Sequence, residues 1–187
     1  MKQMITALML ACCLACIAQT DTLENGHYKV VFSYEHNIPI HVSWNLHKAD
    51  LLGETSRKGL NFHSDKRLKR PRVSSTDYNK SGYQRGHMCP AGDWPSDTQK
   101  MKATFLMSNI APQAPSLNVG QWKQDEILTR YLALKFDSVH VECAPVFNKN
   151  TIRKIRKRNI SIPDGFWKSV RLISTDSILF ERYYQNR

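Results

Sequence analysis

Apolar and polar residues alternate over two stretches near the start of the chain, HYKVVFSY at residues 27–34 and PIHVSWNL at residues 39–46. A period of two marks a half-buried strand, so the pattern predicts two strands joined by a turn over residues 35–38. A polar, basic connection follows, SRKGLNFHSDKRLKRPRVSSTDYNKSG. Then comes YQRGHMCPAGDW at residues 83–94, where Pro90 and Gly92 break any regular element. A helical pattern runs over residues 98–107 and, after the proline-punctuated loop SNIAPQAPSLN, over residues 119–135. Ile127, Tyr131 and Leu134 cluster on one side of the second helix, an apolar stripe suited to a core. At 100° per residue, Asn118, Trp122 and Glu126 fall within about 80° of one another, on the face turned away from that stripe. Residues 137–147, DSVHVECAPVF, alternate again, with Val139, Val141 and Cys143 on one face and His140 and Glu142 on the other. The tail, FWKSVRLISTDSILFERYYQNR, reads as a hairpin of two further strands. Strands and helices without a βαβ rhythm predict an α+β domain with a mostly antiparallel central sheet flanked by helices.

Composition narrows the class. A chain of 187 residues, 41% hydrophobic and without repeats or low-complexity linkers, has room for one core and is expected to form a single domain over residues 19–187. The opening MKQMITALMLACCLACIA combines a lysine, a short apolar stretch and a small residue before Gln19. It reads as a secretory signal over residues 1–18, cleaved after Ala18 and too short to remain as a membrane span. A periplasmic or secreted protein without stable membrane insertion is expected. Acylation at Cys12, Cys13 or Cys16 is the alternative, although the residues before each fit a lipoprotein signal poorly. No protein partner is implied, and the oligomeric state stays open.

Charge points to a polyanion. Lys and Arg number 27 against 16 Asp and Glu, for a net charge of +11 and a pI near 9.6. That excess either solubilises the surface or meets nucleic acid, a heparin-like glycan or an anionic membrane. Two runs, KRLKRPR at residues 66–72 and RKIRKR at residues 153–158, suit the second reading: tracking phosphates makes binding salt-sensitive and indifferent to base sequence.

RGH within YQRGHMCP, then SNIAPQAPSLNVGQWKQDE, then ECAPVF and IPDGFWK occur in this order. Together they resemble the DNA/RNA non-specific endonuclease family, whose signature loop reads Asp-Arg-Gly-His followed by Pro. RGH alone is common; the ordered set, spread over residues 28–184, is not. The resemblance implies a ββα-metal finger of the His-Me type. It also implies an endonuclease that cuts DNA and RNA without sequence specificity and leaves 5′-phosphate ends.

On the matching positions, His87 is the general base, Arg85 the signature arginine, and Glu126 the helix acid that fixes water beside the metal. Asn118 is the single protein ligand of a divalent ion. Mg2+ suits such a site, since it retains several waters, with Mn2+ or another divalent ion as alternatives. Asn109 and Gln113 line the site and bind substrate. Arg57 is the candidate for an upstream phosphate-binding arginine, with Arg67, Arg70 and Arg72 as rivals. Gly86 lets the backbone approach, Asp93 caps or orients the loop, and Trp94, Trp122 and Trp167 pack.

The pattern departs from the family at Gln84, which stands where Asp is usual. Cys89 and Cys143 stand at two motif positions and are an even pair in an exported chain, so a disulfide between them is expected. The chemistry matches these residue types: a neutral histidine accepts a proton from water near pH 7, and cations neutralise charge on phosphoryl oxygens. Two other readings stand beside this one. The first is a non-catalytic nucleic-acid or polyanion-binding protein of the same fold. The second is a zinc hydrolase built on His87, Cys89 and Cys143.

Overall fold

The computed structural model describes residues 19–147 and 152–187; the expected signal segment lies outside them. Along the described residues the strands are β1 (Thr20–Glu24), β2 (Tyr28–Ser33), β3 (Ile38–His47), β4 (Gln84–His87), β5 (Ile110–Gln113), β6 (Ser138–Val146), β7 (Arg153–Ile155), β8 (Ile160–Ile162), β9 (Gly165–Leu172) and β10 (Ile178–Gln185). The helices are α1 (Thr98–Ala103), α2 (Pro115–Val119) and α3 (Gln121–Phe136). Six strands form one sheet in the order β1-β2-β3-β6-β9-β10, with every neighbouring pair antiparallel. The predicted strand pair, the alternating strand and the terminal hairpin are all in this sheet.

Alternation builds the core. Val42, Trp44 and Leu46 of β3, Val139, Val141 and Cys143 of β6, and Phe166 and Val170 of β9 are all buried. Their side chains share a face because successive residues of a strand point to opposite sides. Trp122 of α3 reaches this layer, with its ring edge-on to Phe166 and Tyr184 at 5.6 and 5.2 Å. α1 is shorter than predicted. Asp97 starts it by accepting hydrogen bonds from the backbone N–H groups of Gln99 (2.8 Å) and Lys100 (3.0 Å).

Beside the sheet, β4 pairs antiparallel with β5, setting Gly86 opposite Ala111 and His87 opposite Ile110. α2 and α3 follow β5 directly, which completes a ββα unit. Neither β1 nor this small ribbon is visible in the periodicity, because the ribbon strands have four residues each and contain glycine or proline.

The second predicted helix differs in two ways. It breaks at Gly120, where an added Cβ would lie 2.3 Å from the carbonyl oxygen of Ser116. Its faces are also reversed. Ile127, Tyr131 and Leu134 are 52%, 58% and 42% exposed, while Trp122, Asp125, Thr129 and Ala133 are buried. Polar residues occupy the inner face because each finds a partner there. Asp125 accepts from the Tyr184 hydroxyl (2.7 Å) and pairs with Arg182, and Thr129 Oγ1 donates to the Asp125 carbonyl (2.7 Å). Glu126 therefore sits near the core, not on an outer face. Among the described residues no helix is long and apolar enough to cross a membrane.

Candidate active site

His87 closes β4, and its ring is enclosed by Phe62 (centroids 5.2 Å apart) and Phe105 (4.9 Å, edge-on). The main-chain carbonyl of His87 accepts from Trp122 Nε1 at 3.2 Å, so α3 is tied to the strand at this residue. Nε2 of His87 is buried and has no hydrogen-bond partner among the described residues. Burial, with a smaller contribution from the Arg57 charge, pulls the imidazole pKa down to about 3. A neutral ring with an unfilled nitrogen is the form a proton acceptor requires.

Arg57 is exposed, and its guanidinium lies 5.5 Å from the centre of the Phe105 ring. Its charge acts on both His87 and Glu126. Two of the rival arginines are engaged elsewhere, Arg67 with Asp65 (2.5 Å) and Asn25 (2.8 Å) and Arg72 with the carbonyls of Leu68 and Lys66, whereas Arg70 is exposed. Arg85 is half-buried. It donates through Nε and Nη2 to the Ser75 carbonyl (2.9 and 2.5 Å) and through Nη2 to Asn79 (2.6 Å), while Nη1 makes no hydrogen bond among the described residues.

Glu126 makes no hydrogen bond or ion pair among the described residues. Burial pushes its carboxyl up to about 7; Lys168, Arg130 and Arg57 oppose this, and Asp93 adds to it. Lys168, which no sequence motif marks, is 1% exposed and sets its ammonium 3.7 Å from the centre of the Trp122 ring. It occupies the inward position between Phe166 and Val170 in β9, where the alternation calls for an apolar side chain. Asp93 is also fully buried. It accepts from Trp44 Nε1 (3.0 Å) and Arg130 Nη1 (3.1 Å), yet burial still raises its pKa to about 6.

Asn118 lies in α2 and donates through Nδ2 to Oε1 of Gln84 at 2.6 Å. The departure from the family's aspartate thus touches the proposed metal ligand and leaves Asn118 Oδ1 available. No group of three or more His, Cys, Asp or Glu side chains able to hold a metal occurs among the described residues. The donor set fits a hard, oxygen-preferring ion held by few protein ligands: a free amide oxygen on Asn118, and on Glu126 a carboxyl without a bonded partner.

Two expected substrate contacts are fully buried. Asn109 is fully buried; its Oδ1 accepts from the Cys89 N–H (2.9 Å), and its Nδ2 donates to the carbonyls of Cys89 (2.8 Å) and Thr104 (2.9 Å). It clamps the loop after His87 instead of meeting substrate. Gln113 is also fully buried, with both polar atoms unpartnered. Gly86 makes room for this side chain, since a Cβ there would come within 2.3 Å of it. Cys89 and Cys143 are free, buried thiols, and Cys143 Sγ donates to the Met88 carbonyl at 3.6 Å. The expected disulfide is not formed. Burial raises both thiol pKa values, that of Cys143 to about 12.

A family model described as DNA/RNA non-specific endonuclease matches residues 16–185. Nuclease EXOG, mitochondrial, of Danio rerio is 36% identical over 154 residues, covering 75% of this chain and 44% of that protein. A protein named Nuclease from Nostoc sp. (strain PCC 7120 / SAG 25.82 / UTEX 2576) is 34% identical over 131 residues, covering 69% and 46%. Endonuclease G, mitochondrial, of Bos taurus is 31% identical over 128 residues, covering 63% and 43%. The chain spans less than half the length of these curated relatives. Among solved structures, a chain of the EndoG/EndoGI complex superposes with a TM-score of 0.81 at 23% identity, over 89% of this chain and 74% of that one. The shared fold is α+β with the ββα-metal arrangement.

Proposed function

The chain belongs to the DNA/RNA non-specific endonuclease family, and on that premise we propose that it hydrolyses phosphodiester bonds of DNA and RNA with one divalent metal ion, leaving 5′-phosphate ends. The observation that carries this reading is His87: buried, held neutral, and with an unpartnered Nε2 beside the exposed Arg57. In the proposed reaction Nε2 takes a proton from water as the water oxygen bonds to phosphorus. The bond from phosphorus to the 3′ oxygen breaks, and that oxygen takes a proton from solvent. Arg57 neutralises charge on the phosphoryl oxygens, with Arg85 Nη1 as a second donor. Glu126, once ionised, orients the attacking water. Asn118 Oδ1 holds the ion, its amide orientation set by Gln84. When bound, the ion supplies charge neutralisation at the phosphoryl and leaving oxygens, and Mg2+ is the proposed species.

The proposal includes export, on the strength of the signal-like residues 1–18. Its test is nicking of supercoiled plasmid and cleavage of RNA, with magnesium and with chelator, from about pH 6 to about pH 9. Activity should rise with pH as Glu126 ionises, at about 7 without the ion and lower with it, because a cation beside a carboxyl favours its charged form, while His87 stays neutral throughout. His87→Ala should lose about 10²–10⁴-fold in rate and keep its affinity for nucleic acid. Failure to cut either polymer at any pH would sink the nuclease and leave a polyanion-binding protein.

A further inference from the structure

The two cationic runs at residues 66–72 and 153–158 meet in space. Ser64, Arg70, Pro71, Arg72 and Arg158 line one open cleft of about 520 Å³, and among the described residues no carboxylate lines it. Arg70 and Arg158 are exposed. Arg72 is half-buried and anchored, its Nε donating to the Leu68 carbonyl (2.6 Å) and its Nη2 to the Lys66 carbonyl (2.7 Å). The acids nearby are engaged: Asp65 binds Arg67 and Ser108, and Asp77 accepts from the Ser74 N–H (2.7 Å) and pairs with Lys157 (3.3 Å). Asp77 also lies 4.0 Å from Arg158 Nε, which leaves the outer nitrogens of that guanidinium available.

The cleft and the catalytic centre are linked by two short segments of chain. Phe62, whose ring packs on His87, is two residues before Ser64, a chain reach of at most about 7 Å. The turn Ser75–Tyr78 is shared as well: the Ser75 carbonyl holds Arg85, and Asp77 holds Lys157. Three guanidinium groups around an acid-free cleft suit a phosphodiester, whose oxygens match the arginine fork.

We propose that the cleft of Arg70, Arg72 and Arg158 is a second phosphate-binding subsite, taking a backbone phosphate of the nucleic-acid substrate a few nucleotides from the bond that is cut. The proposal rests on the nuclease reading and adds to it a grip outside the scissile position. That grip explains how two runs distant in sequence serve one strand.

The test is the salt dependence of binding to a DNA duplex of about 24 base pairs, measured in the full chain carrying His87→Ala so that nothing is cut. Adding Arg70→Gln and Arg158→Gln together should flatten the slope of log K against log salt by about 1, as for one phosphate contact, and weaken binding roughly tenfold or more at low salt. Lys48→Gln with Lys135→Gln, two exposed lysines at the opposite end of β3 from Asn37, whose side chain donates to the Arg158 carbonyl, controls for the loss of two charges alone. An arginine double variant with the slope and affinity of this two-lysine control overturns the subsite. Plasmid nicking by the unsubstituted chain reports separately on the nuclease reading, so either can fail without the other. Arg72 is left in place because its bonds to the Leu68 and Lys66 carbonyls shape the loop.

Discussion

Glu126 is held against its own ionisation. Its carboxyl pKa is raised from 4.5 in the free side chain to about 7 in the fold, so the folded state prefers the protonated form. Stability from this group is therefore fully present below pH 4.5 and is lost as pH rises through about 7. A tenfold change in proton affinity between the folded and unfolded chain corresponds to about 1.4 kcal/mol. Glu126→Gln should thus be inactive yet more stable than the parent at about pH 8, by on the order of 1–3 kcal/mol, with the gap closing as the pH falls into the ordinary carboxylate range. Urea unfolding in chelator checks this, and a variant no more stable than the parent on the alkaline side refutes it. Gln84 acts on a different residue. Removing its side chain frees the Asn118 amide to rotate, so Gln84→Ala should weaken Mn2+ binding by about 10–100-fold. Electron paramagnetic resonance titration in the His87→Ala background reads this without turnover; an unchanged affinity would count against the pairing.

At the scale of the element, α3 presents an apolar stripe to solvent and a mixed face of Trp122, Asp125, Thr129 and Ala133 to the sheet. Counting apolar residues by period assigns the faces the wrong way round, because Asp125 and Thr129 are satisfied by partners that such a count does not see. The two assignments make opposite predictions. Asp125→Ala leaves the Tyr184 hydroxyl and Arg182 unpaired and should cost about 2–4 kcal/mol, whereas Ile127→Ser should change stability by about 0.5 kcal/mol or less. Comparable losses in the two variants would count against the inward, bonded placement of Asp125. The break before α3 is equally specific. Gly120→Ala drives a methyl group into the Ser116 carbonyl and should displace α2, lowering both melting temperature and metal affinity. The loop SNIAPQ and the RGH stretch become a ribbon only by pairing with each other, which neither short segment signals alone.

Across the whole molecule, the end of the chain supports the site. After β10, Asn186 is buried; its Oδ1 accepts from the Ala114 N–H (2.7 Å), and its Nδ2 donates to the carbonyls of Pro112 (3.0 Å) and Pro163 (2.9 Å). It fastens the junction between β5 and α2, and with it Asn118, to the large sheet. Asn186→Ala should therefore lower the melting temperature and kcat together while leaving duplex affinity near the parent value; an unaffected kcat would make the clamp purely structural. Most strands of the large sheet are legible from the sequence because alternation is a local property, written in adjacent residues. The proposed roles of His87, Asn118 and Glu126 rest on the resemblance of the ordered motifs to the endonuclease family. Tertiary structure alone decided which side chains remain free to act. It engaged Asn109 and Gln113 in packing, tied Arg85 to Ser75, left Arg57 exposed, kept Cys89 and Cys143 as thiols, and set the ionisation of His87 and Glu126. The physical reason is that burial and hydrogen-bond partners come from residues distant in sequence, whereas periodicity and motif report only on neighbours along the chain.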